Sequence, residues 1–263
     1  MPIASCDICL GSDLIPHRET ERCGRRLVTC AQCGLVAAAD PPAIAPFPSD
    51  RDPRADARRA VAVARLLPGG RILDVGCGEG HFLDLLDPAR FEVAGVEPDP
   101  DAAAAASSRL GRSRSRGTIM AGGLTPSRFE PESFDLAVLF GTLEHVASPR
   151  AILMETVRLL RPGGQVVIET HSLSTLTARL MGSRWRPLSD PDTLHIFDRP
   201  SLLRLVLTCG LVPTATRTAL PTGWPRPGSL LCTARKTSET LRTRALSEIS
   251  SVAALRKATP QGA

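Results

Sequence analysis

The feature that most restricts the fold of this chain is the run Ile-Leu-Asp-Val-Gly-Cys-Gly-Glu-Gly-His-Phe at residues 72–82. A short apolar strand runs into three glycines, Gly76, Gly78 and Gly80, which stand two positions apart. Glycine allows left-handed backbone and lets the main chain approach a ligand closely, and the N-terminus of the helix that follows attracts polar ligand groups. The segment therefore predicts an open α/β sheet with a small-molecule site at the end of this strand.

Strands and helices alternate around this turn. Apolar periodicity and turn residues predict helices at 54–67, 80–86, 100–110, 149–160 and 201–209, and buried strands at 71–75, 91–96, 134–140 and 165–170. Two later strands, at 212–218 and 229–234, are expected to pair antiparallel at the sheet edge. Because parallel strands need helical crossovers, the alternation predicts an α/β fold with a doubly wound, mostly parallel sheet and helices on both faces.

Two carboxylates accompany the glycine turn. Asp74 lies two positions before Gly76, where it would repel the pyrophosphate of a dinucleotide and favour a ligand with an ammonium or sulfonium group. Glu97 ends the next predicted strand, 21 residues after Gly76, where a carboxylate can accept hydrogen bonds from ribose hydroxyls. The charges of the turn therefore suit a cationic ligand better than they suit NAD.

With these residues, the chain resembles the class I S-adenosylmethionine-dependent methyltransferases, and the resemblance covers residues 54–235. Two further segments are similar to that family: residues 134–146, which end in Leu-Glu-His-Val, and the Arg-Pro-Gly-Gly-Gln turn at 161–165. The resemblance implies a Rossmann-like sheet of seven strands and S-adenosylmethionine as the cofactor. It also implies that Asp74 and the glycine turn contact the methionine moiety and that Glu97 contacts the ribose.

The cofactor-binding residues that the resemblance implies are Asp74, Gly76, Cys77, Gly78, Gly80, Glu97, Pro98 and Phe140. Many relatives direct an acidic side chain at the adenine amine from the loop before the fourth strand, whereas this loop reads Ala-Gly-Gly-Leu at 121–124. Contact with the adenine through backbone and apolar groups is therefore expected. Cys77 could be a nucleophile in principle, but its position inside the turn favours a structural role beside the cofactor.

A cysteine-dense segment precedes the α/β region. Cys6 and Cys9, and Cys30 and Cys33, form two Cys-x-x-Cys pairs separated by 20 residues, the arrangement of a two-knuckle zinc ribbon. Four thiolates would close a tetrahedral structural zinc site, and without an open coordination position such a metal would not activate water. Reduced cysteines and a disulfide are the alternatives, and Cys23 is a spare or substitute ligand.

These features divide the 263 residues into four parts. We predict a zinc-ribbon-like module at 1–38, a proline-rich linker at 39–53, the methyltransferase domain at 54–235 and a basic tail at 236–263. The module is too short to fold on hydrophobic burial alone. No apolar run approaches the roughly 18 residues of a membrane span, and residues 1–10 lack the pattern of a signal peptide, so a cytoplasmic protein is expected.

Three histidines are the candidate catalytic groups, because methyl transfer to a hydroxyl needs a positioned acceptor and a base that removes its proton. His145 comes after the predicted strand at 134–140, His171 follows the one at 165–170, and His195 precedes the last helix. All three are expected at the rim or in the cap where open α/β sheets bind ligands. His145 could instead close a structural turn together with Glu144.

The segment at 185–202 resembles a small-molecule subgroup of the family in which a tryptophan and a histidine-rich stretch precede the final helix. Thr193 stands where that subgroup often has a first histidine, so His195 is the expected base of this segment. Trp185 either lines an acceptor pocket or belongs to the core.

The net charge of +5 does not by itself point to nucleic acid. Residues 1–200 hold 23 basic and 25 acidic side chains, whereas residues 201–263 hold 9 basic and 2 acidic, so the surplus lies in the last quarter. Aromatic residues for base stacking make up 3% of the chain. The sequence therefore predicts S-adenosylmethionine-dependent methyl transfer to a small-molecule or glycan acceptor, with neither nucleic acid nor a membrane as partner.

Two other functions stay open at this point: an RNA methyltransferase, and a non-catalytic regulatory protein that binds zinc and the cofactor. The intact set of Asp74, three turn glycines and Glu97 argues against loss of activity.

Overall fold

The computed structural model describes residues 3–17, 24–40, 52–113, 117–126, 128–218 and 228–237. The strands are β1 (Leu14–Pro16), β2 (Leu27–Cys30), β3 (Val36–Ala38), β4 (Gly70–Val75), β5 (Phe91–Glu97), β6 (Gly117–Ala121), β7 (Phe134–Phe140), β8 (Leu160–His171), β9 (His195–Ile196), β10 (Leu211–Thr218) and β11 (Ser229–Lys236). The helices are α1 (Pro53–Leu66), α2 (His81–Asp84), α3 (Pro100–Ser113), α4 (Pro149–Leu159), α5 (Leu176–Met181), α6 (Arg186–Ser189) and α7 (Arg199–Thr208). Most of the predicted linker and tail, and Cys23, lie outside the described residues, and the predicted domain boundaries stay predictions.

The larger sheet has seven strands in the order β10-β11-β8-β7-β4-β5-β6. Strands β8, β7, β4, β5 and β6 run parallel, and β11 runs antiparallel to both β8 and β10. The predicted seven-stranded, mostly parallel sheet with an antiparallel edge pair is confirmed. The chain moves outward from β4 to β6 and then returns to β7 on the other side of β4, and such a reversal opens a cleft at the carboxyl ends of the strands.

Strand β6 was missed by the pattern of apolar residues, although the family resemblance implied a seventh strand. It reads Gly-Thr-Ile-Met-Ala and lies at the sheet edge, where its side chains are exposed or half-buried. An edge strand of this kind lacks the apolar run that marks the inner strands.

Capping side chains and prolines define where the longer helices begin. Asp52 accepts a hydrogen bond of 2.9 Å from the backbone N–H of Arg54 and so caps α1, which starts with a proline. Asp198 and Ser201 form a capping box at α7. In the described part of the chain, no helix is long and apolar enough to cross a membrane.

The core lies on both faces of the larger sheet, because alternate strand residues point to opposite sides. On one face, strand residues such as Leu73 and Leu139 pack against Leu153 of α4 and Leu205 of α7. The other face, with Ile72, Val93, Leu136 and Val138, is covered by apolar residues of α1, α2 and α3. The predicted helical layers on both faces are therefore present.

The second sheet is small and joins the cysteine segment to the segment between β8 and α7. Its order is β1-β2-β3-β9, and β9 comes from the segment between β8 and α7. Val36 pairs with Ile196, and Ala37 with His195. Ile8 is fully buried in the same apolar cluster as the inner strands of the larger sheet. The cysteine segment is therefore packed onto the α/β region by both a sheet and a shared core.

Candidate functional site

The glycine turn follows β4 and has the left-handed backbone that its sequence predicts. The φ angles of Gly76, Gly78 and Gly80 are 81°, 53° and 76°. The backbone N–H of Gly76 donates to the Val96 carbonyl at 2.8 Å, which ties the turn to β5. A Cβ atom on Gly80 would lie 2.9 Å from the Cβ of Ala106 in α3, so a larger residue would have to displace that helix. The turn is therefore a rigid edge of the cleft.

Glu97 stands at the end of β5, fully buried beneath the turn. Its Oε2 accepts from the backbone N–H of Gly78 at 2.8 Å, and its Oε1 accepts from that of Asp99 at 3.0 Å. Burial raises the pKa of Glu97, and these two hydrogen bonds oppose that rise. A carboxylate oxygen can accept a second hydrogen bond, so Glu97 both shapes the turn and can bind ligand hydroxyls.

The turn borders a cleft of about 660 Å³, which is within the usual range for small-molecule sites. Six of the predicted cofactor-binding residues line it: Asp74, Gly76, Cys77, Gly78, Glu97 and Phe140. Gly80 and Pro98 are not among its lining residues. The opposite wall comes from the segment around α5 and α6 and includes Met181, Trp185 and Pro187. The structure thus brings most of the predicted cofactor residues to one cavity.

Cys77 is a buried residue of the turn. Burial, followed by the charges of Asp74 and Glu97, raises the pKa of its thiol, so the thiol stays protonated. A Cβ atom on Gly95 would lie 2.6 Å from the Cys77 Sγ, which shows how closely the sulfur packs on β5. These surroundings agree with the structural role predicted for Cys77.

Arg59 of α1 is a cleft residue that the sequence analysis missed. Its Nε lies 2.9 Å from the Glu169 Oε2, its Nη1 lies 3.0 Å from the Asp56 Oδ1, and its guanidinium carbon lies 4.6 Å from the centre of the Phe140 ring. Its buried Nη2 has no hydrogen-bond partner among the described residues. The signal in the sequence was a charged pair at positions 56 and 59, on the buried stripe of α1 with Ala60 and Val63.

Glu144 and His145 lie in the loop after β7. The buried Glu144 carboxylate accepts from the Thr170 hydroxyl at 2.8 Å and from the backbone N–H of His171 at 3.3 Å, so it fixes the loop to β8. The Nδ1 of His145 lies 2.6 Å from the Asp192 carbonyl oxygen. Because a carbonyl only accepts, Nδ1 must carry the proton, and the lone pair of the neutral ring is then on Nε2.

His171 and Trp185 complete this side of the cleft with His145. The His171 ring centre lies 6.1 Å from that of Trp185 and 6.4 Å from that of His145, both in edge-to-face contact. Trp185 is almost fully buried, so it is both core and cleft wall. Two of the three predicted histidines therefore meet in one place.

His195, the third predicted histidine, does not line this cleft. It lies on β9 beside a smaller cavity of about 240 Å³ that Cys6 and Cys30 also line. Burial lowers the pKa of His195 to about 4, and its buried Nδ1 has no hydrogen-bond partner in the described part of the chain. The catalytic role predicted for His195 gains no support from this position.

The four predicted metal-binding cysteines come together. The Sγ atoms of Cys6 and Cys33 lie 3.5 Å apart, those of Cys9 and Cys30 lie 3.4 Å apart, and all four are within 4.8 Å of one another. A tetrahedral ion with metal–sulfur distances of about 2.3 Å needs sulfurs about 3.8 Å apart. The hydrogen bond that Cys6 and Cys33 share lowers the pKa of Cys6 and raises that of Cys33, so one of these two thiols holds a proton that metal binding would release. The cluster therefore fits a four-coordinate metal ion.

Comparisons with known proteins agree with the fold and the cleft. The profile of the methyltransferase domain family matches residues 47–216. A possible histamine N-methyltransferase of Thermotoga maritima, described as S-adenosylmethionine-dependent, superposes with a TM-score of 0.55 and 21% identity over 70% of this chain and 89% of its own. The chain therefore belongs to the methyltransferase domain family, and its α/β region has the class I methyltransferase fold.

Two curated relatives differ in the substrates that their names state. A ubiquinone biosynthesis O-methyltransferase of Burkholderia pseudomallei is 31% identical over 55% of this chain and 66% of its own length. A tRNA U34 carboxymethyltransferase of Methylococcus capsulatus is 28% identical over 66% of this chain and 56% of its own. This chain thus spans somewhat less than two thirds of each relative, and the family does not identify the acceptor.

Proposed function

We propose that this protein methylates a hydroxyl group of a small, largely apolar acceptor, with His145 as the base. The observation that carries the proposal is the hydrogen bond from His145 Nδ1 to the Asp192 carbonyl, at 2.6 Å, on the wall of the cleft. This bond orients the ring and leaves Nε2 as the basic nitrogen. A positioned base is what a hydroxyl acceptor needs in an in-line displacement.

The side of the cleft next to the glycine turn is the proposed cofactor half. S-adenosylmethionine supplies an activated methyl group on a sulfonium when it is bound. Asp74 would attract the ammonium group, Glu97 would accept from the ribose hydroxyls, and the unpaired Nη2 of Arg59 would donate to the carboxylate. The ammonium, ribose and carboxylate groups of the cofactor would therefore each have a partner of complementary character in this half.

The side next to α5 and α6 is the proposed acceptor half. Met181, Trp185 and Pro187 provide apolar surface, and His145 and His171 provide polar groups. Such a lining binds a flat or apolar molecule by burial and orients it by one or two hydrogen bonds. The methyl group moves between the two halves when both ligands are held in line.

The charge of the cleft favours a small acceptor over RNA. Its lining holds more carboxylates than guanidinium groups: Asp52, Asp56, Asp74, Glu79, Glu97, Asp99, Asp101, Glu144 and Asp190, against Arg59 and Arg186. Arg59 is already paired with two carboxylates. Phosphate contacts supply most of the affinity of proteins for RNA, and this lining would repel phosphates.

We further propose that the ion in the cysteine cluster is structural zinc, held by Cys6, Cys9, Cys30 and Cys33. Four sulfur ligands suit zinc and leave no open position for substrate. The proposed role is to stabilise the small sheet, since metal binding contributes folding free energy in small domains of this kind.

Replacement of His145 tests the proposed base. Wild type, His145→Gln and the control His17→Gln, which alters a histidine outside the cleft, are assayed for S-adenosylhomocysteine release with phenols, catechols, sugars and tRNA. We expect wild type and the control to methylate a small hydroxyl compound, and His145→Gln to lose about 100-fold or more of that rate. S-adenosylhomocysteine should bind all three equally by calorimetry.

A rate of His145→Gln within twofold of wild type would show that His145 is not the base. Turnover of tRNA with none of the small compounds would replace the proposal by an RNA acceptor.

A further inference from the structure

We propose that Arg25, a residue of the cysteine module (of which residues 3–17 and 24–38 are described), is a positioning residue that holds His145 in its active orientation. The proposal rests on the role of His145 as the base. Arg25 lies far from His145 in the sequence and is absent from the cleft lining. Its effect would pass through the turn at residues 190–193, which touches both side chains.

The guanidinium of Arg25 binds the carbonyls on both sides of Asp192. It donates from Nη1 to the Asp190 carbonyl, and from Nη2 to the carbonyls of Thr193 at 2.9 Å and Pro191 at 3.4 Å. An arginine is suited to this task, because it has several donors in one plane and no acceptor. Arg25 thus holds the peptide units before and after the one that His145 uses.

The remaining carbonyl of this turn, that of Asp192, accepts the hydrogen bond from His145 Nδ1 at 2.6 Å. In a neutral imidazole, the hydrogen bond made by one nitrogen decides which nitrogen carries the proton. Nε2 can act as a base only while Nδ1 keeps the proton. The position of the Asp192 carbonyl therefore controls the tautomer of His145.

The cysteine module supports the same turn through its backbone. Ala38 donates from its N–H to the Leu194 carbonyl at 2.9 Å, and β3 pairs with β9 directly after it. The N–H groups of Leu194 and His195 in turn donate to the Glu144 carbonyl at 2.7 and 3.0 Å. Backbone hydrogen bonds thus connect β3, which follows the second cysteine pair, to the segment at 194–196, and connect that segment to the His145 loop.

The first cysteine pair holds the other end of the His145 loop. Asp7, between Cys6 and Cys9, accepts from the Ser148 hydroxyl at 2.7 Å and from the backbone N–H of Arg150 at 2.8 Å. The two pairs therefore clamp the loop at 144–148 from both sides. A metal that fixes the four cysteines would hold this loop as well, and Arg25 connects the module to the turn at 190–193 that His145 contacts.

The tautomer of His145 can be measured without knowing the acceptor. Protein labelled with nitrogen-15 histidine is studied by long-range proton–nitrogen spectra in the presence of S-adenosylhomocysteine, and the His145 signals are identified from His145→Gln. Wild type should show Nδ1 protonated. Arg25→Ala should shift His145 towards a mixture of tautomers, and Arg25→Lys, which can reach fewer carbonyls, should give an intermediate spectrum.

The matched control is Arg26→Ala. Arg26 is the next residue, is exposed and pairs with Asp40 at the surface, so its loss should leave the spectrum of His145 unchanged. Affinity for S-adenosylhomocysteine equal to that of wild type shows that a variant is folded. If Arg25→Ala is not folded, the spectrum of Arg25→Lys alone tests the positioning role. An unchanged His145 tautomer in the folded Arg25 variant would overturn the proposal.

Kinetics with an acceptor that wild type methylates supply the second arm. Arg25→Ala should lower kcat about tenfold to a hundredfold with little change in KM for the cofactor, and Arg25→Lys should restore part of it. In a His145→Gln background the same substitution should change kcat by less than about twofold, because both residues act through one group. A full loss in that background would show that Arg25 acts independently of His145 and would overturn the proposal.

The two arms separate this proposal from the proposed function. If His145→Gln keeps the wild-type rate, the base is wrong whatever Arg25 does. If His145 is the base but Arg25→Ala changes neither tautomer nor kcat, only the positioning role is wrong.

Discussion

The glycine turn and the cysteine module both use small groups of closely spaced residues to form a binding site, but they are held in shape by different parts of the chain. The turn depends on its own glycines and on Glu97 at the end of the neighbouring strand. The module depends on contacts far along the sequence, from Asp7 to Ser148 and from Arg25 to Thr193.

The two halves of the cleft differ in the same way, because different parts of the chain support them. The cofactor half is built by strand ends and one turn of the α/β fold, which any chain with this pattern can form. The acceptor half is built against the module: Trp185 and Leu188 share an apolar cluster with Leu27 of β2 and Val36 of β3. Damage to the module should therefore affect the acceptor half more than the cofactor half.

The largest effect is expected from removal of one metal ligand. Cys30→Ser should lose the bound metal and lower the free energy of unfolding by about 3 kcal/mol or more, because metal binding contributes to folding. Wild type should contain about one zinc ion per chain by elemental analysis, and Cys209→Ser, a buried cysteine outside the cluster, should retain it. Absence of metal from wild type, or an iron–sulfur chromophore, would contradict the zinc site.

The same variant tests the comparison itself. If Cys30→Ser is still folded at low temperature, it should bind S-adenosylhomocysteine within a few-fold of wild type while its turnover falls. Loss of cofactor binding in step with turnover would show that the two halves are not separate.

A smaller effect, confined to the cofactor half, is expected from Glu97→Ala. Hydrogen bonds to a charged acceptor are worth about 1.5 to 3 kcal/mol each, so the Kd for S-adenosylhomocysteine should rise at least about tenfold by calorimetry. The control is Glu92→Ala, which alters an exposed carboxylate of the same strand. Equal affinities of wild type and Glu97→Ala would show that Glu97 does not bind the ribose.

The last expected effect is a pH dependence of stability that arises beside the module. Burial lowers the pKa of His195 from 6.5 to about 4 in the folded protein, so between these values the unfolded chain binds the proton more readily. The stability that this group contributes is complete above pH 6.5 and is lost as the pH falls towards 4, by about 2 kcal/mol at pH 5.

Urea unfolding at pH 7 and pH 5 measures this dependence. His195→Gln should lose less stability between the two pH values than wild type does, because glutamine has no imidazole that binds a proton in the unfolded chain. Any acid release of the metal affects both proteins alike. Parallel losses in the two proteins would show that His195 is not buried in its neutral form.

Much of the cofactor half was predictable because its signals are local. A strand, three glycines and an acid at each of two strand ends are close in sequence, and the left-handed φ angles confirm what the glycines predicted. Arg59 was missed because its partners Glu169 and Phe140 lie more than 80 residues away. Strand β6 was missed because an edge strand needs no apolar run.

The acceptor half shows where sequence reasoning fails. His145, His171 and His195 were all candidates, since each follows a strand or precedes a helix at the expected rim. Only the pairing of β9 with β3 turns His195 towards the cysteine cluster and away from the cleft. That pairing joins residues about 160 positions apart, and no periodicity within either segment predicts it.

The sequence by itself thus determined the fold class, the glycine turn with its two carboxylates and the four cysteines, because each depends on backbone conformation or spacing over a few residues. The tertiary structure decided which histidines line the cleft, that Arg59 Nη2 has no hydrogen-bond partner among the described residues, and that the cysteine module packs against the wall that contains Trp185. These depend on contacts between distant segments, where burial and the satisfaction of backbone hydrogen bonds select one arrangement among many that the local patterns allow.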